Sequence, residues 1–181
     1  SENLYVEDQK TLIAEDVKEQ LLQSSEEEPY VYENLKQFSL PHLQLMQKDL
    51  RYNDFSHSDL RESQFHTCIL IGSSWQRANL EGGSLQGCLL TDADFRYSNL
   101  EGVHFRGASG QPYREHGVRV PGLCGLHFEH AILDGADFTD VYSFDHAYFE
   151  GASMQGTLVP RKYQQHWKLS EAQRQSIVWT E

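Results

Sequence analysis

The feature that most constrains this chain is an apolar residue at every fifth position. From Leu35 to Phe105, every fifth residue is Leu, Phe or Trp. An amphipathic helix repeats its apolar face every 3.6 residues and a strand every 2, so neither element produces this spacing. A second lattice of small or modest residues lies two positions before each apolar residue. It holds from Asn53 onward and fails upstream at Leu43 and Lys48, so we start the true repeats near residue 53.

Both lattices together define a five-residue unit. Three such units occupy residues 93–107, which read ADFRY, SNLEG and VHFRG. They resemble the pentapeptide-repeat family, whose pattern is small, polar, Leu or Phe, polar, then Gly-like. The resemblance implies an all-β solenoid, a right-handed quadrilateral β-helix with four pentapeptides per coil. We expect about four to five coils stacked at the ~4.8 Å spacing of a sheet, with short helical segments at the N- and C-terminal ends.

Twenty residues per coil predict which side chains lie above one another in the core. Phe55, Trp75 and Phe95 then form one column, and Phe65, Leu85 and Phe105 another. The complete predicted core lattice is Phe55, Leu60, Phe65, Leu70, Trp75, Leu80, Leu85, Leu90, Phe95, Leu100, Phe105, Leu133, Phe138 and Phe149.

The lattice breaks once and then resumes. Residues 108–126 carry two Pro and several Gly, which is typical of a protruding loop. Periodicity returns at Phe128, with a slip of one residue near Ser143 and Phe144. We therefore predict an acidic, partly helical segment over 1–34, the β-helix with its inserted loop over 35–157, and a helical cap over 158–181.

Both ends carry helix signals. The stretch DQKTLIAEDVKEQLLQ has helical apolar spacing at five positions: Leu12, Ile13, Val17, Leu21 and Leu22. Ser170 to Gln173 matches a capping box ahead of a short helix predicted to end at Ile177, Val178 and Trp179. An open β-stack needs its edges covered, so we favour caps for both pieces. A homodimer contact, which the family often makes through C-terminal elements, is the alternative.

Charge is unevenly distributed. The net charge of −12 argues against direct contact with nucleic acid, since phosphates are bound by Lys and Arg. Residues 128–157, hereafter the acidic segment, hold six acids and no Lys or Arg, whereas the inserted loop carries two Arg. The candidate partner-binding residues are Tyr113, Arg114, His116, Arg119, Asp134, Asp137, Asp140, Asp145 and Glu150.

No pattern in the sequence indicates catalysis. The nine histidines form no metal-ligand spacing, and the phosphate-cradling and nucleophile motifs are missing, so we expect no enzyme, cofactor or metal. Cys68 and Cys88 lie twenty residues apart and should face each other across adjacent coils. A disulfide between them is geometrically conceivable, although reduced core thiols are favoured in a cytoplasmic protein. No apolar run has membrane-helix length, and without a signal-like N-terminus the cytoplasm is the expected location.

Two functions of different kinds follow. The first is a protein-interaction module that presents a rigid surface to a macromolecular partner. The second comes from the resemblance, because quinolone-resistance (Qnr) members of the family are acidic DNA mimics that bind DNA gyrase and protect it from inhibitors. A DNA mimic should carry acid along its faces, whereas this chain concentrates acid toward one end of the coil, so we rank the interaction module first.

Overall fold

The structure is a computed structural model that describes residues 16–24, 38–112, 114–115, 118–119 and 125–181. Within these ranges the chain winds so that short extended pieces pair in parallel with pieces one coil later. Most of these pieces are single bridges. The longer strands are β1 (Gln44–Met46), β2 (Gln64–His66), β5 (Leu126–His127), β6 (Ala147–Tyr148), β7 (Leu158–Pro160) and β8 (Val178–Thr180).

The bridges line up into four ladders along the coil. Ladder 1 runs through Ser39, Asp59, Asn79, Asn99, Ile132 and Ser153. Ladder 2 runs through Gln44, Gln64, Ser84, His104, Asp137, Leu158 and Val178. Ladder 3 runs through Asp49, Ile69, Leu89, Ser109 and Tyr142. Ladder 4 runs through Asp54, Ser74, Asp94, His127 and Tyr148. The ladders thus have between five and seven rungs, and the count of four to five coils stays a prediction.

The five-residue period is explained by the backbone. Each side of a coil contributes an extended piece, and a corner follows in which one residue has a positive φ, such as 60° at Arg77 or 67° at Gly102. A large inward side chain therefore recurs only once the chain has turned the corner. Glycine is required at Gly151, where φ is +70° and a Cβ would collide with the imidazole of His130. Any larger residue there would meet both backbone strain and a collision.

The core consists of stacked side chains in register. Phe55 and Trp75 stack with ring centroids 4.2 Å apart, and Phe95 continues the column to Phe128 at 5.3 Å. All fourteen residues of the predicted lattice are buried. Because Phe95 and Phe128 belong to coils on either side of the insertion, the insertion leaves the core continuous.

The small-residue lattice also points inward, where its polar members are hydrogen-bonded. Ser73 donates to the carbonyl of Leu70 at 2.6 Å and accepts from the indole N–H of Trp75 at 2.7 Å. Cys68 and Cys88 are buried free thiols. Burial raises the pKa of Cys88 well above its usual value, and the hydrogen bond with Cys68 acts in the same direction.

Three details of the sequence analysis are corrected. Repeats begin before residue 53, since Ser39 already bridges to Asp59; Leu43 fits at a small-residue position in this terminal coil. Residues 108–110 belong to the coil, because Ser109 bridges to both Leu89 and Tyr142, and Leu126 belongs to β5. The bulge predicted near Ser143 is present: pairing spans 33 residues at Tyr142 across the insertion and 21 residues at Tyr148, where an uninterrupted coil spans 20.

Helical pieces lie at both ends of the coil. Residues 16–23 form helix α1, whose Val17 and Leu21 are buried while Leu22 is exposed; Leu12 and Ile13 lie outside the described residues. Lys48 holds this helix with a hydrogen bond of 2.8 Å to the Leu22 carbonyl. No helix among the described residues has the length and apolarity to cross a membrane.

The C-terminal cap has a 3-10 helix at Arg161–Tyr163 and helix α2 at Glu171–Ser176. Ser170 and Gln173 form the predicted capping box. The predicted continuation of this helix through Val178 and Trp179 is wrong, because both residues lie in β8, which pairs in parallel with β7. The pairing of β8 with β7 supplies backbone hydrogen bonds in place of those that a further helical turn would have made.

Candidate interaction surface: the acidic segment and the cap cleft

Three of the five aspartates in the coils before the insertion are matched by arginine two residues later, whereas Asp54 and Asp92 accept hydrogen bonds from backbone N–H groups. Asp59 pairs with Arg61 at 2.8 Å, Asp94 with Arg96 at 2.8 Å, and Asp49 with Arg51 at 2.9 Å. The hydrogen bond from the Arg61 side chain lowers the pKa of Asp59. Burial raises the pKa of Asp94, but hydrogen bonds from the side chain and backbone of Arg96 outweigh it and the net pKa is lowered. These coils are therefore close to neutral at their surface.

The acidic segment uses neutral donors instead. Asp134 accepts hydrogen bonds from the Ser153 hydroxyl at 2.5 Å and the Gln155 N–H at 3.1 Å. Asp137 accepts from the N–H of Thr139 at 2.8 Å. Such bonds hold the carboxylates in place without cancelling their charge.

Arginine or histidine approaches this segment at three points within the described residues. Arg106 lies 3.9 Å from Asp140, His166 lies 3.9 Å from Asp145, and His127 lies 3.1 Å from Glu129. The first two pairs are at the limit of ion-pair distance, and their side chains are about half exposed. Exposed pairs of this kind contribute little, so the segment presents net negative charge.

One corner of the coil carries acid in three successive layers. Gly82 N–H donates to the Glu101 carbonyl and Gly102 N–H to the Asp134 carbonyl, both at 2.9 Å. These bonds place Glu81, Glu101 and Asp134 above one another at the same corner. This acidic column crosses the insertion, since Asp134 follows it in the chain.

The structure separates the remaining predicted partner-binding residues. Arg114 and Arg119 face each other in an antiparallel pair between β3 (Arg114–Glu115) and β4 (Val118–Arg119). Tyr113 and His116 lie outside the described residues. Asp145 and Glu150 line a cleft that the sequence analysis did not predict.

This cap cleft lies between the last coil and the C-terminal cap and has a volume of about 910 Å³. On the coil side it is lined by residues 145–152 with His127 and Glu129, and on the cap side by His166, Lys168, Ser170, Ala172 and Gln173. Tyr148 stacks on His127 with centroids 5.0 Å apart, and His127 Nδ1 lies 3.1 Å from Glu129. Tyr148 and His127 were not predicted from the sequence, because both occupy ordinary outward positions of the repeat.

Buried hydrogen bonds fix the cap to the last coil, so that it forms one wall of the cleft. The Trp167 indole N–H donates to the Phe144 carbonyl at 2.8 Å. The Gln173 side chain donates to the carbonyls of Phe149 and Ala152 at 2.8 and 3.0 Å. The cap thereby satisfies carbonyls of the last coil and is attached to it along one side of the cleft.

The described residues contain no group of three or more His, Cys, Asp or Glu side chains arranged to hold a metal ion. A family model for pentapeptide repeats matches residues 76–109 and 123–158, with eight copies. Residues 76–109 and 123–158 are therefore pentapeptide repeats, and proteins built from such repeats have the right-handed β-helix fold. Members of this family generally serve as structural or interaction modules.

Several solved structures of pentapeptide-repeat proteins are similar to this chain. Rfr23 from the cyanobacterium Cyanothece 51142 is 16% identical over 70% of this chain and 91% of its own, with a TM-score of 0.43. QnrB1, a plasmid-mediated fluoroquinolone resistance protein, is 16% identical over 79% and 94%, with a TM-score of 0.34. HetL from the cyanobacterium Nostoc sp. strain PCC 7120, involved in heterocyst differentiation regulation, is 23% identical over 69% and 73%, with a TM-score of 0.21. No curated protein matches this chain.

Proposed function

We propose that this chain is a non-enzymatic interaction module whose acidic segment binds a positively charged surface of a protein partner. The observation that carries the proposal is the contrast in charge pairing along one continuous coil. Asp49, Asp59 and Asp94 are neutralised by arginine two residues away. Asp134 and Asp137 instead accept hydrogen bonds from uncharged donors. A negative surface steers and orients a basic partner.

The fold suits this role because its surface is fixed before binding. The side chains beneath the acidic segment are stacked aromatics, with Phe105 and Phe138 4.7 Å apart and Phe128 and Phe149 5.3 Å apart. A surface that is already ordered loses little conformational freedom on association, which favours affinity.

The test is affinity capture from the native cell, comparing the wild type with Asp134→Asn/Asp137→Asn/Asp140→Asn. We expect recovery of the partner to fall about tenfold or more, since several rim charges are removed together. The matched control is Glu62→Gln/Glu81→Gln/Glu101→Gln, which removes the same charge outside the acidic segment. If both variants lost the same amount of partner, the effect would depend only on net charge, and the proposal would be contradicted.

A second candidate is a DNA mimic that binds gyrase and protects it from inhibitors. The observation that favours it is the acidic column of Glu81, Glu101 and Asp134. In this case the wild-type protein, at low micromolar concentration, should alter DNA supercoiling by gyrase or the inhibition of gyrase by a fluoroquinolone. Glu81→Gln/Glu101→Gln should then lose the effect, although the same changes leave the first candidate unaffected. A wild type without effect on gyrase removes this candidate.

Assembly through the C-terminal end is a separate proposal. β8 is the last rung of ladder 2, and its Val178 is exposed. A homodimer formed there should dissociate when Val178 is changed to Lys, as measured by sedimentation equilibrium. A wild type that sediments as a monomer at every concentration would contradict it.

A further inference from the structure

The four ladders do not all end in the same coil, since ladders 3 and 4 stop one coil before ladder 1. Ladder 1 continues to Ser153 and ladder 2 to Val178, whereas ladder 4 ends at Tyr148 in β6. The position of its next rung coincides with the cap cleft, which is lined by β6 and the residues that follow it. The cleft is thus an open edge of a β-ladder, walled on the far side by the cap.

The lower coils show which backbone groups a further rung would use. Phe128 N–H donates to the Tyr148 carbonyl at 2.8 Å, and His130 N–H donates to the Glu150 carbonyl at 2.9 Å. One coil later, the equivalent donors are the N–H groups of Phe149 and Gly151. Among the described residues no backbone carbonyl accepts from either of them. The Gln173 side chain serves the Phe149 carbonyl instead, so the cap leaves these donors available.

The side chains around this edge select for positive charge. Glu129, Asp145 and Glu150 line the cleft against a single lysine, Lys168. Asp145 is about half exposed, and Glu150 is exposed. A cationic side chain entering the cleft therefore meets an excess of carboxylate.

Tyr148 adds a specific recognition element. Its ring is inclined only 14° to the His127 imidazole beneath it and remains 44% exposed. Because the described residues supply no further rung of ladder 4 above it, the ring offers its upper face to the cleft. Arginine binds such a surface well, because the guanidinium stacks on an aromatic ring and forms paired hydrogen bonds with carboxylates.

We propose that the cap cleft binds an extended, arginine-containing segment of the protein partner, which adds a parallel or antiparallel strand to ladder 4 above β6. The main chain of that segment accepts from the N–H groups of Phe149 and Gly151, as in other cases of strand addition. Its arginine stacks on Tyr148 and pairs with the carboxylates of the cleft. This inference rests on the proposed function and identifies the segment of the partner that is bound.

The experiment uses the full chain and a blocked pentapeptide of sequence Thr-Val-Arg-Val-Thr. Amide hydrogen exchange is followed by NMR with and without the peptide. Exchange at Phe149 and Gly151 should slow by about tenfold or more at saturation, because both N–H groups become hydrogen-bonded. A peptide with Glu in place of Arg should bind at least about tenfold more weakly. Protection of both amides in the free protein, or equal binding of the two peptides, would overturn the inference.

Side-chain variants test what Tyr148 and the carboxylates contribute to peptide binding, separately from the backbone N–H groups. Tyr148→Ala and Asp145→Asn/Glu150→Gln should each weaken the Arg peptide by about tenfold, as measured by fluorescence anisotropy. Tyr142→Ala removes another exposed tyrosine on ladder 3 and should leave binding unchanged, and unfolding curves verify that each variant is folded. Equal binding by the wild type and folded Tyr148→Ala would also overturn the inference.

The outcomes separate this inference from the proposed function. Loss of the partner with Asp134→Asn/Asp137→Asn/Asp140→Asn, together with no peptide binding at the cleft, refutes the inference and leaves the proposed function standing. Peptide binding at the cleft, with partner capture unaffected by those three changes, refutes the role given to the acidic segment.

Discussion

The coils before and after the insertion share one core but differ at their surface. Before it, ladder partners are twenty residues apart and three of the five aspartates are paired with arginines; after it, the spacing reaches 21, and Asp134 and Asp137 accept from neutral groups. The aromatic column nevertheless continues from Phe95 to Phe128 without a gap. Inward positions are therefore held to one pattern along the whole coil, whereas outward positions differ in charge between the two regions.

The largest expected effect tests whether the core is truly continuous. Phe95→Ala and Phe128→Ala should each lower the free energy of unfolding by ~3–5 kcal/mol, because both rings are fully buried and leave a cavity. Chemical denaturation with two probes measures the effect. If Phe128→Ala unfolded only the part after the insertion, with a separate transition, the two regions would be independent units.

A smaller effect is expected at the cap. Gln173→Ala removes the side chain that donates to the carbonyls of Phe149 and Ala152 and should cost about 1–3 kcal/mol. Gln175→Ala is the matched control on the same helix, since its side chain is exposed and bonds only to Glu171 at 3.2 Å. Thermal unfolding compares the two. Equal, negligible losses would show that the cap does not stabilise the last coil.

The ion pair between Asp94 and Arg96 predicts that the stability difference between the wild type and Arg96→Gln depends on pH. Arg96→Gln should cost less than about 1 kcal/mol at pH 7, because the pair it forms with Asp94 is partly exposed. The pKa of Asp94 is lowered in the folded protein, so the stabilisation is present above the unfolded value near 3.9 and is lost as pH falls through the folded value.

Denaturation of wild type and Arg96→Gln from pH 7 to pH 2 tests this sign. The free energies of unfolding of the two proteins should become equal at the acid end of this range. Arg106→Gln, in the 3.9 Å pair with Asp140, should show a smaller difference at pH 7. A gap that widens on acidification would contradict the assignment of the effect to Asp94.

The smallest expected effect is at the insertion itself. Deletion of residues 112–121 should change the free energy of unfolding by no more than about 0.5 kcal/mol, the range of surface changes. The coil holds both ends of the insertion: Thr91 donates to the Gln111 carbonyl at 2.6 Å, and Gly125 N–H donates to Asp92 at 3.0 Å. A collapse in melting temperature would make the insertion structural, and loss of partner capture in a stable deletion would place it in the binding surface.

The core residues were predictable because burial in a five-residue corner geometry leaves a periodic signature. The apolar lattice, the stacking of residues twenty apart and the bulge near Ser143 all follow from that period. The cap cleft left no such signature. Tyr148 and Asp145 read as outward positions of a repeat, and their role depends on where the chain returns after Pro160.

The coil follows from the amino-acid sequence alone, because an apolar residue at every fifth position, with a small residue two positions before it, fits the period of neither a helix nor a flat sheet. The tertiary structure alone decided where ladder 4 stops and that the cap passes beside it rather than over it. The reason is physical: a repeat encodes contacts between adjacent coils, whereas the end of a ladder depends on long-range hydrogen bonds such as those of Trp167 and Gln173.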